Sequence, residues 1–203
     1  MVARAPDASA TPGARERGDG LNGSGSCDGY TANEAWYLAL TRRWALRLRA
    51  GGEAGVCHEP GPDVAFAERV LGLAPPARVL DLAAGWGRTS IALALRGYEA
   101  VAFDLSPDLV ALGRERAARR GLRIEFVQGS VRCLPDLGSF DAICAFYDDC
   151  LLSGESEAEN LAALRRVAAA LRPGGGLLFG TTDCARLLPP LQRSVRRDGA
   201  ETI

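Results

Sequence analysis

From residue 78 onward the chain alternates between short apolar segments and amphipathic ones, and that rhythm restricts it to few folds. Strand-like segments fall at 78–82, 100–103, 123–127, 140–145 and 176–180. Helix-like segments fall between and after them, at about 88–97, 107–120, 156–171 and 186–197. Strands that are apolar throughout, separated by amphipathic helices, predict an α/β fold with a Rossmann-like, mostly parallel sheet and helices on both faces. Such sheets bind ligands beyond the carboxyl ends of their strands, close to a reversal of strand order. The residues that follow each strand therefore carry most of the functional information.

After the first of these strands the sequence runs VLDLAAGWGRTS, residues 79–90. The small residues Ala83, Ala84, Gly85 and Gly87 allow a tight turn and a close approach of backbone to ligand. The helix that follows offers unpaired N–H groups. Neither the G-x-G-x-x-G fingerprint nor a Gly-Lys-Ser/Thr phosphate loop is present. Asp81 would repel a pyrophosphate placed in this turn but suits a ligand ammonium. Asp104 ends the second strand, 23 residues beyond Asp81, a spacing at which an acid on the adjacent strand receives ribose hydroxyls. Leu105 is placed to pack on an adenine face. Ser106, with Pro107 at the first helical position, can cap the next helix and leave Asp104 free.

The rest of the chain reads as a frame around this unit. Residues 1–29 are rich in Gly, Ala, Pro, Asp and Ser and read as a disordered leader. Residues 30–74 hold two helices expected to form part of a substrate lid. Thr31 and Glu34 make a capping box for the first, and Trp36, Leu40, Trp44 and Leu48 recur at four-residue spacing as its core-facing stripe. Asp63 is the expected cap of the second. Residues 75–203 form the ligand-binding domain, whose C-terminal part is read as short: a helix interrupted by Pro189-Pro190 stands where a further strand pair would cover the sheet edge. A homodimer mate is one way to cover that edge.

Composition excludes several classes. Net charge is -1, which gives no basic signature for nucleic acid or an anionic membrane. All 24 basic residues are Arg, so Lys chemistry is excluded. The six Cys form no C-x-x-C pair, and His58 has no second ligand pair near it, so no metal site is expected. No signal-peptide core or membrane-spanning run is apparent, which predicts a cytoplasmic protein.

The block from about 78 to 181 resembles the class I S-adenosylmethionine-dependent methyltransferases, particularly small bacterial ones acting on small molecules. The matching stretches are VLDLAAGWGRTS, VAFDLSPDLV, IEFVQGSVRCLP, FDAICAFYDDC and LAALRRVAAALRPGGGLLFG, in that order. The resemblance implies S-adenosylmethionine as cofactor, with Asp81, Ala83, Gly85 and Gly87 around its methionine part. It implies that Asp104 takes both ribose hydroxyls, and that Leu105 and the Gly129-Ser130-Val131 segment bracket the adenine. Phe146 would line the cofactor near the sulfonium, and residues 172–176 would form the turn before the fifth strand. Two positions depart from the family pattern. Ala83 stands where Gly is usual, and Ser130 where an Asp commonly bonds the adenine amino group.

Tyr147-Asp148-Asp149 follows the fourth strand, where the family places residues facing the methyl group. Asp148 is the expected proton acceptor, with Tyr147 and Asp149 behind it. The expected activity is methyl transfer to an oxygen or nitrogen of a small metabolite by in-line displacement. The alternative is a non-methylating S-adenosylmethionine-binding protein with a structural or regulatory role. An NAD-dependent oxidoreductase is disfavoured by Asp81 and the missing third glycine.

Overall fold

The computed structural model describes residues 2–4, 29–51, 59–146, 154 and 156–180. In chain order the elements are β1 (Val2–Arg4), α1 (Ala32–Arg49), α2 (Gly61–Leu71), β2 (Arg78–Leu82), α3 (Arg88–Leu95) and β3 (Glu99–Asp104). They continue with α4 (Pro107–Ala118), β4 (Glu125–Gln128), a 3-10 turn (Val131–Cys133), β5 (Phe140–Ala145), α5 (Glu157–Ala169) and β6 (Leu171–Phe179). The sheet order is β1-β6-β5-β2-β3-β4, parallel except for β1. The order reverses between β2 and β5, so the crevice open to a ligand lies beyond their carboxyl ends.

Period-two alternation assigns each strand residue to a face. Leu80, Leu82, Val101, Phe103, Ile143 and Leu177 share one face with Val167 of α5. Val79, Ala100, Ala142, Cys144 and Leu178 point the other way, against Val64 and Ala67 of α2 and Leu93 of α3. Ala102 and Phe126 extend that second layer under Val110 and Ala117 of α4. Each fully buried Leu, Ile or Phe contributes on the order of 2 kcal/mol of apolar burial. Because α2 buries Val64 and Ala67 completely, it is an integral layer of the sheet.

Four details differ from the sequence reading. Residues 2–4, expected within a leader without structure, pair antiparallel with Gly176–Leu178 of β6. That pairing covers three residues of the edge for which a dimer mate was considered, and β1 becomes the outermost strand of the sheet. The strand β6 begins at Leu171, because residues 172–175 bulge out opposite the single residue Asp141, with Gly174 at φ 76°. Asp63 does not cap α2; Pro60 holds that position and Asp63 sits in the first turn, where its charge complements the helix dipole. Trp36 does not face the core: it is 66% exposed, while Glu34, Thr41 and Ala45 form the buried line of α1. The expected helix at 186–197 and His58 lie outside the described residues.

Candidate cofactor site

The end of β2 turns on three left-handed residues, Ala83 at φ 58°, Gly85 at 57° and Gly87 at 76°. Gly85 and Gly87 adopt this conformation freely, whereas Ala83 carries a Cβ that disfavours it by about 1–2 kcal/mol. Gly87 has a second reason to lack a side chain, since a Cβ there would lie 2.7 Å from the Phe126 ring. The turn is tied to β3 by the N–H of Ala84, which donates to the Phe103 carbonyl at 3.0 Å. On its outer side, Arg116 of α4 lies over the Trp86 ring at 4.1 Å.

Two buried carboxylates bracket this loop. Asp81 accepts from the Ser90 N–H at 2.9 Å and from the Ser90 hydroxyl at 2.5 Å, both on Oδ2. Burial pushes its carboxyl up to about 7, against the two Ser90 bonds, and the neighbouring Asp104 charge adds to the rise. Asp104, at the end of β3, accepts from the Gly85 N–H at 2.7 Å on Oδ2 and from the Ser106 N–H at 2.8 Å on Oδ1. Burial raises its pKa as well, against those N–H bonds and a third donor, the Tyr37 phenol. Tyr37 donates to both oxygens, at 3.1 and 3.3 Å. Ser106 caps α4 through its own side chain at 3.3 Å to the Leu109 N–H, as expected, while Asp104 stays directed at the loop.

At the end of β4, Gly129 donates to the Asp104 carbonyl at 3.0 Å, and a Cβ on Gly129 would meet the Phe103 ring at 2.8 Å. Ser130 accepts from the Arg132 N–H at 3.1 Å and donates to the Glu34 carboxylate. Glu34 also accepts from Arg132 Nη1 at 3.1 Å and from the Thr31 N–H at 2.9 Å. Burial pushes the Glu34 carboxyl up, but these hydrogen bonds and the Arg132 charge outweigh it and hold the carboxyl below the usual range. Val131 packs against the apolar layer on the α5 side, and Leu105 is half-buried beside Asp104.

Comparison with known proteins gives a concordant result. A family model described as a methyltransferase domain matches residues 79–175. The chain is 33% identical over 152 residues to a ubiquinone biosynthesis O-methyltransferase of Xanthomonas campestris, covering 72% of this chain and 59% of that protein. Among solved structures, the PH0226 protein of Pyrococcus horikoshii matches with TM-score 0.54 and 30% identity, over 64% of this chain and 59% of that one. The glycopeptide N-methyltransferase MtfA, complexed with sinefungin, matches with TM-score 0.54 and 26% identity, over 66% and 55%.

The chain has the class I S-adenosylmethionine-dependent methyltransferase fold and matches a methyltransferase domain over residues 79–175. It spans about three fifths of the length of the ubiquinone biosynthesis methyltransferases it matches. The likeness implies S-adenosylmethionine as the cofactor of this methyltransferase fold, and the residues present fit it. A loop whose backbone can be approached closely leads from one buried acid to another, an acceptor set for an ammonium and a diol. The structure brings Ala83, Gly85, Gly87, Asp104, Leu105, Gly129 and Ser130 around the ends of β2, β3 and β4, and Phe146 follows β5 half-buried. Tyr147, Asp148 and Asp149 lie outside the described residues.

Glu34 entered the sequence reading only as half of a helix cap, Tyr37 only as part of the 30–74 segment expected as a lid, and Arg132 not as a site residue. A signal existed: Glu34, Tyr37 and Thr41 recur three and four residues apart, a polar line along a helix whose Trp and Leu residues draw attention first.

Proposed function

We propose that this chain transfers a methyl group from S-adenosylmethionine to an oxygen or nitrogen of a small metabolite by in-line displacement. The observation that carries the reading is the Asp104 carboxylate, fixed by the N–H groups of Gly85 and Ser106 at the mouth of the Gly-containing loop. In this reading Asp104 receives the ribose hydroxyls, and Asp81, whose Oδ2 is held by Ser90, presents Oδ1 to the cofactor's amino group. Leu105 and the 129–131 segment line the purine, and Phe146 the reacting end.

The bound cofactor supplies a methyl carbon already activated by its sulfonium sulfur. The chain's own residues then align the acceptor behind that carbon, exclude water and remove one proton. Transfer would place the acceptor's lone pair in the new bond to carbon and leave the carbon–sulfur pair on sulfur. Asp148, with Tyr147 and Asp149 behind it, is proposed to take the acceptor's proton. The likeness to an O-methyltransferase and an N-methyltransferase supports oxygen or nitrogen as the acceptor atom.

The test is formation of S-adenosylhomocysteine by the full chain with a panel of small phenols, alcohols and amines. Acceptor-dependent turnover that falls about 100-fold in Asp148→Asn supports the assignment. Saturable cofactor binding with no turnover on any acceptor favours a non-methylating, regulatory binder instead.

A further inference from the structure

A carboxylate has about four acceptor positions, two on each oxygen. In Asp104, one position on Oδ1 is taken by the Ser106 N–H at 2.8 Å, and one on Oδ2 by the Gly85 N–H at 2.7 Å. Both are internal to the sheet end and hold the site's shape. The Tyr37 phenol bridges the remaining two positions, at 3.3 Å from Oδ1 and 3.1 Å from Oδ2. A ribose diol on Asp104 requires those same two positions. Tyr37 and a nucleoside therefore exclude each other at this carboxylate.

The element that carries Tyr37 is built to be displaced. The helix α1 runs 18 residues, yet its buried residues are only Glu34, Thr41 and Ala45. Among the described residues, none of its side chains joins the three apolar clusters of the core. Trp36 and Leu46 are exposed. Besides buried Ala45 and the half-buried Leu38, Leu40, Trp44 and Leu48, polar ties hold it: Glu34 to Ser130 and Arg132 at one end, Tyr37 to Asp104, and Arg49 to Glu115 at 2.6 Å with Arg116 to the Leu48 carbonyl at 3.4 Å at the other. The Arg49 pair is solvent-exposed and contributes little. A helix held by polar ties over a ligand site belongs to the low-stability end of a fold, where local undocking costs least. It is also self-contained, with a reciprocal Thr31–Glu34 capping box, so it can remain helical while it shifts.

We infer that Tyr37 is an internal competitor for the nucleoside: its phenol occupies the diol position on Asp104, and cofactor binding is coupled to undocking of α1. The inference rests on the cofactor reading above and adds a self-occluded resting state to it. Affinity is thereby reduced by the fraction of molecules in which α1 is docked.

The experiment is calorimetric titration of the full chain and of Tyr37→Phe with S-adenosylhomocysteine, paired with hydrogen exchange over 32–49 and 83–87. Removing the hydroxyl frees both positions on Asp104 and keeps the ring. The expected result is about tenfold tighter binding by Tyr37→Phe, faster exchange in α1 of the wild-type chain when ligand is added, and slower exchange in 83–87. Glu34→Gln, which loosens the other tie without touching Asp104, is expected to tighten binding as well. Binding by Tyr37→Phe alone supports the inference in its strongest form. Equal or weaker binding by Tyr37→Phe, or an α1 that becomes more protected, overturns it and leaves the cofactor reading standing. No binding by any of the three proteins overturns the cofactor reading itself, and the inference with it.

Discussion

The N–H of Gly85 donates to the Asp104 carboxylate at 2.7 Å, so the loop after β2 and the acid at the end of β3 form one structural unit. The acid does not wait at the edge of a preformed turn; it helps to hold the turn in place. Burial of the carboxylate is tolerable because two N–H donors and the Tyr37 phenol satisfy it. Loop shape and ligand contact therefore depend on the same side chain.

Strain at Ala83 gives a first prediction. Its φ of 58° is the only left-handed value at a non-glycine among the described residues. Relief of the Cβ contact by Ala83→Gly exceeds the added freedom of the unfolded chain, for a net gain of about 0.5–1 kcal/mol. Thermal unfolding is expected to show a midpoint about 2–3 °C higher. A lower midpoint contradicts the strain at this position.

The second concerns pH and Asp81. Its carboxyl is pushed up to about 7 in the folded chain, whereas in the unfolded chain it titrates near 4. Between those values the folded state binds more protons, so this group's contribution to stability is complete below about pH 4 and is lost by about pH 7. Asp81→Asn keeps an oxygen to accept from Ser90 and removes the titration. Denaturant unfolding should show the variant gaining on the wild type as pH rises from 5 to 8, by on the order of 2–4 kcal/mol. A difference that stays flat with pH contradicts a raised Asp81.

Close packing under the loop supplies the third. A Cβ on Gly113 of α4 would lie 2.4 Å from the Phe126 ring and 2.8 Å from the Trp86 carbonyl. Gly113→Ala should therefore destabilise by about 1–3 kcal/mol, although alanine is the better helix former. Chemical denaturation of the pair measures this, and a stabilised variant would show that α4 sits farther from the loop.

The parallel core was legible because its strands are apolar on both faces and punctuated by turns; β2 and β5 begin and end where the pattern does. The Ser106 cap and the Thr31–Glu34 box were legible because both are local, spanning three residues. What the sequence did not yield is non-local. Tyr37 and Asp104 lie 67 residues apart, and Glu34 and Ser130 lie 96 apart. Those pairings set the rotation of α1 and turn Trp36 outward, against its hydrophobic spacing. Val2–Arg4 is too short to carry a strand pattern; β6 supplies the pairing. Ala83 was marked from the sequence as the awkward position of the loop, and its left-handed backbone gives the physical reason.

Titration of the full chain with S-adenosylhomocysteine, beside Asp104→Asn, tests the central claim most directly. Asn keeps an oxygen for the Gly85 N–H but removes the charge and one acceptor, so the loop persists while the diol loses its partner. The account predicts saturable binding by the wild-type chain and binding at least tenfold weaker in the variant. Equal affinity in the two proteins would contradict it.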